Sequence, residues 1–285
     1  MRDAWPWKRK AADVLRRVGL LQAGLRVYLV ALGVVARVRD RASLPTTAPD
    51  GLPLPPPSLR IAVGAVARSG SRAASADYFL ANGAEAAAIL VRLLGRAGRS
   101  FEDCEAVLDF GCGCGRVTRH LRSFGLANLV GCDIDARAIE WCSRNLPFAQ
   151  FQLTKVTPPL PQPNAAFDLV YAFSVFTHLP ERLQRSWIDE LGRVVRPAGF
   201  AVLSTHGERF LPRLSDEERR RFASGLPVEL YTDEPGSALC SVYNPFSHVS
   251  TVLGHSLELI DHAPGAFDGQ DVYLFRRPPS RGLAA

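Results

Sequence analysis

The chain has 285 residues, 47% hydrophobic and 22% charged, with a formal net charge of +6. That length and balance are enough for one substantial core and exclude a disordered or fibrous chain. Six cysteines are present, but no second ligand pair or Cys/His spacing completes a zinc site, so no metal is expected and the thiols read as small buried side chains of a reducing compartment.

The charge sits at the N-terminus. The first 41 residues hold ten Lys or Arg against Asp3, Asp13 and Asp40, a local +7 that leaves the rest nearly neutral. Val14, Val18, Leu21, Leu25, Tyr28, Leu32 and Val35 recur at three- and four-residue steps, which predicts a basic amphipathic helical arm over 1–42. Its apolar face needs a cover. The favoured one is the main domain, with the arm as a lid; the other is an anionic membrane surface, where Trp5 and Trp7 would help. The uncharged run Val27–Ala36 is ten residues, too short to span a bilayer, and no small-residue cleavage site marks a removed signal. The expected location is cytoplasmic, with the arm a candidate for peripheral membrane contact. No aromatic-studded basic strand follows the arm, so nucleic acid is not expected as a partner.

Six prolines between Pro45 and Pro57 predict a stiff extended connector over 43–60, setting the arm apart from the main domain at 61–280. Asp77–Leu94 then reads as a helix through Tyr78, Ile89, Leu90, Leu93 and Leu94. Residues 107–115, Val-Leu-Asp-Phe-Gly-Cys-Gly-Cys-Gly, form a short apolar strand that ends in an acid and runs into alternate glycines. Such a loop turns sharply and lets a ligand lie against the backbone. Val117, Leu121 and Phe124 predict a helix from Arg116 whose free N–H groups would favour a carboxylate or phosphate. A second strand, Asn128–Asp133, ends in an acid where a doubly wound fold places a ribose-binding carboxylate, so a nucleoside is the expected ligand. A dinucleotide fingerprint from Gly111 would need glycine at 116, where this chain has Arg116; a nicotinamide-dependent oxidoreductase is therefore disfavoured.

Asp109 to Gly115 followed by Asp133 resembles the cofactor site of class I S-adenosylmethionine-dependent methyltransferases. Three further segments resemble the same family: Phe167–Leu179 its fourth strand and following loop, Leu191–Ser204 the helix end, turn and fifth strand, and Leu257–Asp261 with Asp271–Phe275 its terminal hairpin. The resemblance spans roughly residues 76–277. It implies an α/β, doubly wound, Rossmann-like seven-stranded sheet, mostly parallel with an antiparallel last strand and helices on both faces.

It also implies S-adenosyl-L-methionine as cofactor. Gly111, Gly113 and Gly115 would form the cradle, Asp109 would order it and accept from the donor's ammonium group, directly or through water, and Asp133 would accept both ribose hydroxyls. Ile134 would pack on the adenine, Ser174 would lie near the methionine portion, and Tyr78 is a further candidate contact. Thr154-Lys155 stand where similar enzymes often carry Asn or Asp for the adenine edge. Methyl transfer needs no metal, but a hydroxyl acceptor profits from a general base, and histidine suits that task. His206 directly after the fifth strand ranks first, His178 second, and His248 is a third candidate. Residues 207–250 are too long for a simple connection and should carry substrate specificity. The implied function is methyl transfer to a small-molecule or glycan acceptor, with a hydroxyl oxygen as the expected atom. The alternative is a non-catalytic scaffold held to a membrane or partner by the arm.

Overall fold

The computed structural model describes residues 46–64, 72–237 and 240–279, together with isolated helical positions at 23, 24, 27, 31, 34 and 38. Of the arm, Val27, Val34 and Val38 are therefore described and are exposed, whereas the predicted apolar stripe from Val14 to Val35, with Trp5 and Trp7, lies outside the described residues.

The sheet has seven strands: β1 (Ala106–Phe110), β2 (Asn128–Asp133), β3 (Gln150–Leu153), β4 (Phe167–Ala172), β5 (Val195–Thr205), β8 (Glu258–Phe267) and β9 (Gln270–Arg276). Their order is β3-β2-β1-β4-β5-β9-β8. β1 to β5 run parallel, while β9, the last in the chain, pairs antiparallel with both β5 and β8. β1 is buried at every position, as its unbroken apolar run requires of a central parallel strand covered on both faces.

Two helical layers supply that cover. On one face α2 (Arg72–Arg96) lays Ile89, Leu90, Leu93 and Leu94 against Val107, Leu129, Val202 and Leu274. It is long and apolar enough to cross a membrane by length and composition, but that stripe belongs to the core. On the other face α4 (Glu181–Val194) contributes Leu183, Trp187, Ile188 and Leu191, with Trp187 Nε1 donating to the Val156 carbonyl at 2.9 Å. Between β2 and β3, α3 (Ala136–Asn145) starts at Asp135, whose carboxylate caps the Arg137 amide.

Two segments depart from expectation. The Pro-rich stretch is a strap packed on the domain and not a free connector: Thr47 bridges to Pro53, α1 (Pro57–Ala62) follows, and Ala48, Leu52 and Leu59 are buried. The reason is Arg119, whose fully buried guanidinium takes both Asp50 oxygens at 2.8 and 2.9 Å and the Leu52 and Pro53 carbonyls. The predicted helix from Arg116 is a 3-10 helix, Thr118–Phe124, ending at left-handed Gly125. Its start is tied down by Thr118 Oγ1, which donates to Asp109 Oδ2 at 2.6 Å, and this leaves no α-helical N-terminus at the loop.

The long stretch after β5 folds over the sheet's carboxyl edge. It comprises a 3-10 turn (Glu208–Arg213), α5 (Asp216–Ala223) with a Ser215/Glu218 capping box, and the hairpin β6 (Val228–Leu230) and β7 (Ser241–Tyr243). β7 docks on the end of β5 through a parallel bridge between His206 and Tyr243.

Candidate functional site

β1 and β4 are neighbours from which the chain winds in opposite directions, and a crevice opens beyond their carboxyl ends, where doubly wound sheets bind ligands. A cavity of about 550 Å³ occupies it. Gly111, Gly113, Asp133 and Ile134 line it, and so do Ser174, His178, His206 and Gln270.

The glycine loop is left-handed at each step, with φ of 78° at Gly111, 52° at Gly113 and 75° at Gly115. A Cβ at Gly113 would lie 2.3 Å from Val63 Cγ1 of the strap, and one at Gly115 would lie 2.4 Å from Leu146 Cδ1 beneath the loop. Gly111 and Gly113 thus face the cavity, and Gly115 serves packing against α3; it does not line the cavity. Asp109 does not line it either. Its carboxylate is buried against Thr118, and burial pushes its pKa up to about 6. The expected ordering role fits that placement, while a direct contact with the ammonium group has no side chain on the cavity wall to carry it.

Asp133 lies where a ribose would be gripped. One oxygen accepts from the Gly113 amide at 2.7 Å and the other from the Asp135 amide at 2.8 Å, so the carboxylate is fixed to the loop. Burial raises its pKa, and those amides oppose the rise. Ile134 beside it is 40% exposed, an apolar surface on the cavity wall. Thr154 and Lys155 also line the cavity, and the Thr154 amide is spent on the Asp133 carbonyl. A nucleoside fits these residues: a bare backbone cradle, a fixed carboxylate and an apolar side chain share one wall.

Ser174, also in the cavity wall, has φ of 62°, a conformation costly for a residue with a Cβ and one that collects at functional sites. A relay holds it there. The Ser174 amide donates to Ser204 Oγ at 2.7 Å, Ser204 Oγ donates to Gln270 Oε1 at 2.7 Å, and Gln270 Nε2 donates back to Ser174 Oγ at 2.9 Å. Ser174 Oγ therefore already accepts a bond, and its own proton remains to be donated.

His178 and His206 both line the cavity. His178 Nδ1 lies 2.6 Å from the Cys240 carbonyl and His206 Nδ1 lies 3.2 Å from the Val242 carbonyl. A carbonyl only accepts, so each Nδ1 carries the proton and each Nε2 is left as a lone-pair acceptor. Burial pushes both pKa values down; His206 falls to about 3, with His178 as a second cause. His206 is further wedged between the Phe210 and Tyr243 rings at 4.3 and 5.1 Å. The third candidate, His248, is buried but does not line the cavity.

Several lining residues escaped the sequence. Gln270, Phe267 and Asp268 come from the β8–β9 turn, Ile61 to Gly64 from the strap, and Gly236 and Ser237 from the β6–β7 loop. Tyr78 donates to Asp268 Oδ2 at 2.8 Å across the cavity rim, and the Gly236 amide donates to the His178 carbonyl at 2.8 Å. Tyr78 had been a candidate contact and the length of the 207–250 stretch had signalled its loop; the other lining residues carried no local signal. Among the described residues no group of three or more His, Cys, Asp or Glu could hold a metal.

Residues 107–199 match the family model described as a methyltransferase domain. Among curated proteins, the ribosomal protein L11 methyltransferase of Cupriavidus necator is 34% identical over 134 residues, covering 46% of this chain and 41% of its own length. The malonyl-(acyl-carrier protein) O-methyltransferase of Hahella chejuensis is 34% identical over 109 residues, covering 37% and 38%. The chain thus spans about two fifths of these relatives. The CcbJ methyltransferase from Streptomyces caelestis shares the fold with a TM-score of 0.51 at 16% identity, over 69% of this chain and 90% of that one.

Proposed function

We propose that this chain, whose residues 107–199 match a methyltransferase domain model, is an S-adenosylmethionine-dependent methyltransferase that transfers a methyl group to a small-molecule or glycan acceptor at a hydroxyl oxygen. One observation carries the reading: a single cavity joins the Gly111–Gly113–Asp133 wall to two neutral histidines whose Nε2 atoms lack protons. Its volume suits a nucleoside with an amino-acid tail and part of a small acceptor. L11 methyltransferases, by name, act on a protein; here Ile61 to Gly64 of the strap and Gly236 and Ser237 of the β6–β7 loop line the cavity, which favours a small group over a folded surface.

When bound, S-adenosylmethionine supplies a methyl group already activated by its positive sulfur. The protein's part is to aim and to manage one proton. Gly111 and Gly113 expose the backbone, Asp133 would hold the sugar, and Ile134 would cover the base. Ser174, fixed by Gln270, offers a hydroxyl donor to the cavity. A hydroxyl acceptor donates to a histidine Nε2 and gives up its proton there as its oxygen gains a carbon.

His178 suits that task better than His206. An imidazole held near pKa 3 takes a proton poorly at neutral pH, and protonation of either ring discourages the other. His206 then acts as a neutral hydrogen-bond acceptor that positions the substrate. The test uses cell extract incubated with the protein and isotopically labelled S-adenosylmethionine, read by mass for a species that gains one methyl group. That species should form with wild-type protein, slow at least a hundredfold with His178→Gln, and slow less with His206→Gln. Normal turnover in both variants with intact donor binding would remove the histidine mechanism.

A further inference from the structure

Arg116 is 8% exposed, yet it lines the cavity. Among the described residues its guanidinium makes no ion pair, and its one hydrogen-bond partner is the neutral amide oxygen of Asn82 from α2. The group lies over the Phe267 ring, 5.4 Å from its centre. The Asp109 and Asp268 carboxylates act on this buried cation only through space, and five N–H donors against one neutral acceptor leave bonding capacity unspent. Asn82 and Phe267 hold the fork in place from two sides.

We infer that Arg116, steadied by Asn82 and Phe267, is a subsite for a carboxylate inside this cavity. A planar guanidinium matches a carboxylate in shape and charge, binding it through two parallel bonds. A more highly charged anion is less suitable here, because the Asp109 and Asp268 carboxylates act on Arg116 through space and would repel it. Two sources offer such a group: the amino-acid end of the donor and an acidic acceptor. The first rests on the reading that the cavity takes S-adenosylmethionine; the second does not.

Titration calorimetry on the full chain separates them, using wild type, Arg116→Met and the charge-keeping Arg116→Lys. The probes are S-adenosylhomocysteine, its decarboxylated analogue, and benzoate added to protein saturated with S-adenosylhomocysteine. If the donor's carboxylate is held, wild type prefers S-adenosylhomocysteine over the analogue by about tenfold to a hundredfold, Arg116→Met erases the preference, and Arg116→Lys keeps part of it. If the acceptor's carboxylate is held, that preference survives in Arg116→Met and benzoate binding is lost. Unchanged preference and unchanged benzoate binding overturn the subsite. Should wild type bind no S-adenosylhomocysteine, the donor reading fails by itself; benzoate binding to the unliganded protein that depends on Arg116 would still uphold the subsite, and its absence would overturn it.

Discussion

Gly113→Ala tests whether the strap rests on the glycine loop. At φ of 52° an L-residue costs about 1–2 kcal/mol. The new Cβ would also lie 2.3 Å from Val63 Cγ1, more than 1 Å inside normal contact. Relieving that overlap by moving the strap or twisting Val63 adds about 1–3 kcal/mol. The substitution should therefore destabilise the protein by about 2–5 kcal/mol. In a Val63→Ala background the overlap disappears and only the backbone cost remains, about 1–2 kcal/mol. Denaturant unfolding of the four proteins of this cycle reads the difference directly. S-adenosylmethionine affinity should follow it, falling in Gly113→Ala and recovering in part in the double variant. An equal cost of Gly113→Ala in both backgrounds would refute the packing of Val63 over the loop.

Two other perturbations follow from the buried charges. Asp50→Ala leaves the Arg119 guanidinium without its carboxylate; since the Asp50 side chain is 32% exposed, solvent screening reduces the loss to about 1–3 kcal/mol, seen as a melting temperature lower by several degrees. Burial would raise the Asp50 pKa, but Arg119 and the Leu52 amide outweigh it and hold it below 3.8. Its stabilising contribution is thus present at neutral pH and lost only as pH falls through the lowered value. Asp109 behaves in the opposite sense. With its pKa raised from 3.8 to about 6, the folded state holds the proton more tightly, so its destabilising effect is full above about pH 6 and is relieved as pH falls towards 3.8. Melting temperatures from pH 4 to pH 8 should show wild type losing stability relative to Asp109→Asn as pH rises through that window; parallel curves would contradict the assignment.

The local signals in this chain gave the frame well. β2 falls on Asn128–Asp133 as expected, because it is a short apolar run bounded by turn residues. Asp133, Gly111 and Gly113 were legible because close backbone approach and a fixed carboxylate demand those residue types at those places. Missing were features set by contacts distant in sequence. The strap looked like a connector because proline content reports the backbone, whereas the hold on it comes from Arg119 some seventy residues away. The histidine tautomers are set by the Val242 carbonyl of β7 and the Cys240 carbonyl just before it, 36 and 62 residues further on, and Gln270 reaches Ser174 across 96. Asp109 read as a ligand contact because an acid before a glycine loop has the right chemistry, but only the fold shows that its carboxylate turns to Thr118.

The most direct measurement is calorimetric titration of S-adenosylmethionine into wild type and Asp133→Ala. The account predicts one site of micromolar affinity in the first protein, and at least a tenfold loss in the second as the carboxylate leaves both the sugar and the loop amides. No binding to wild type, or equal affinity in the two, would contradict it.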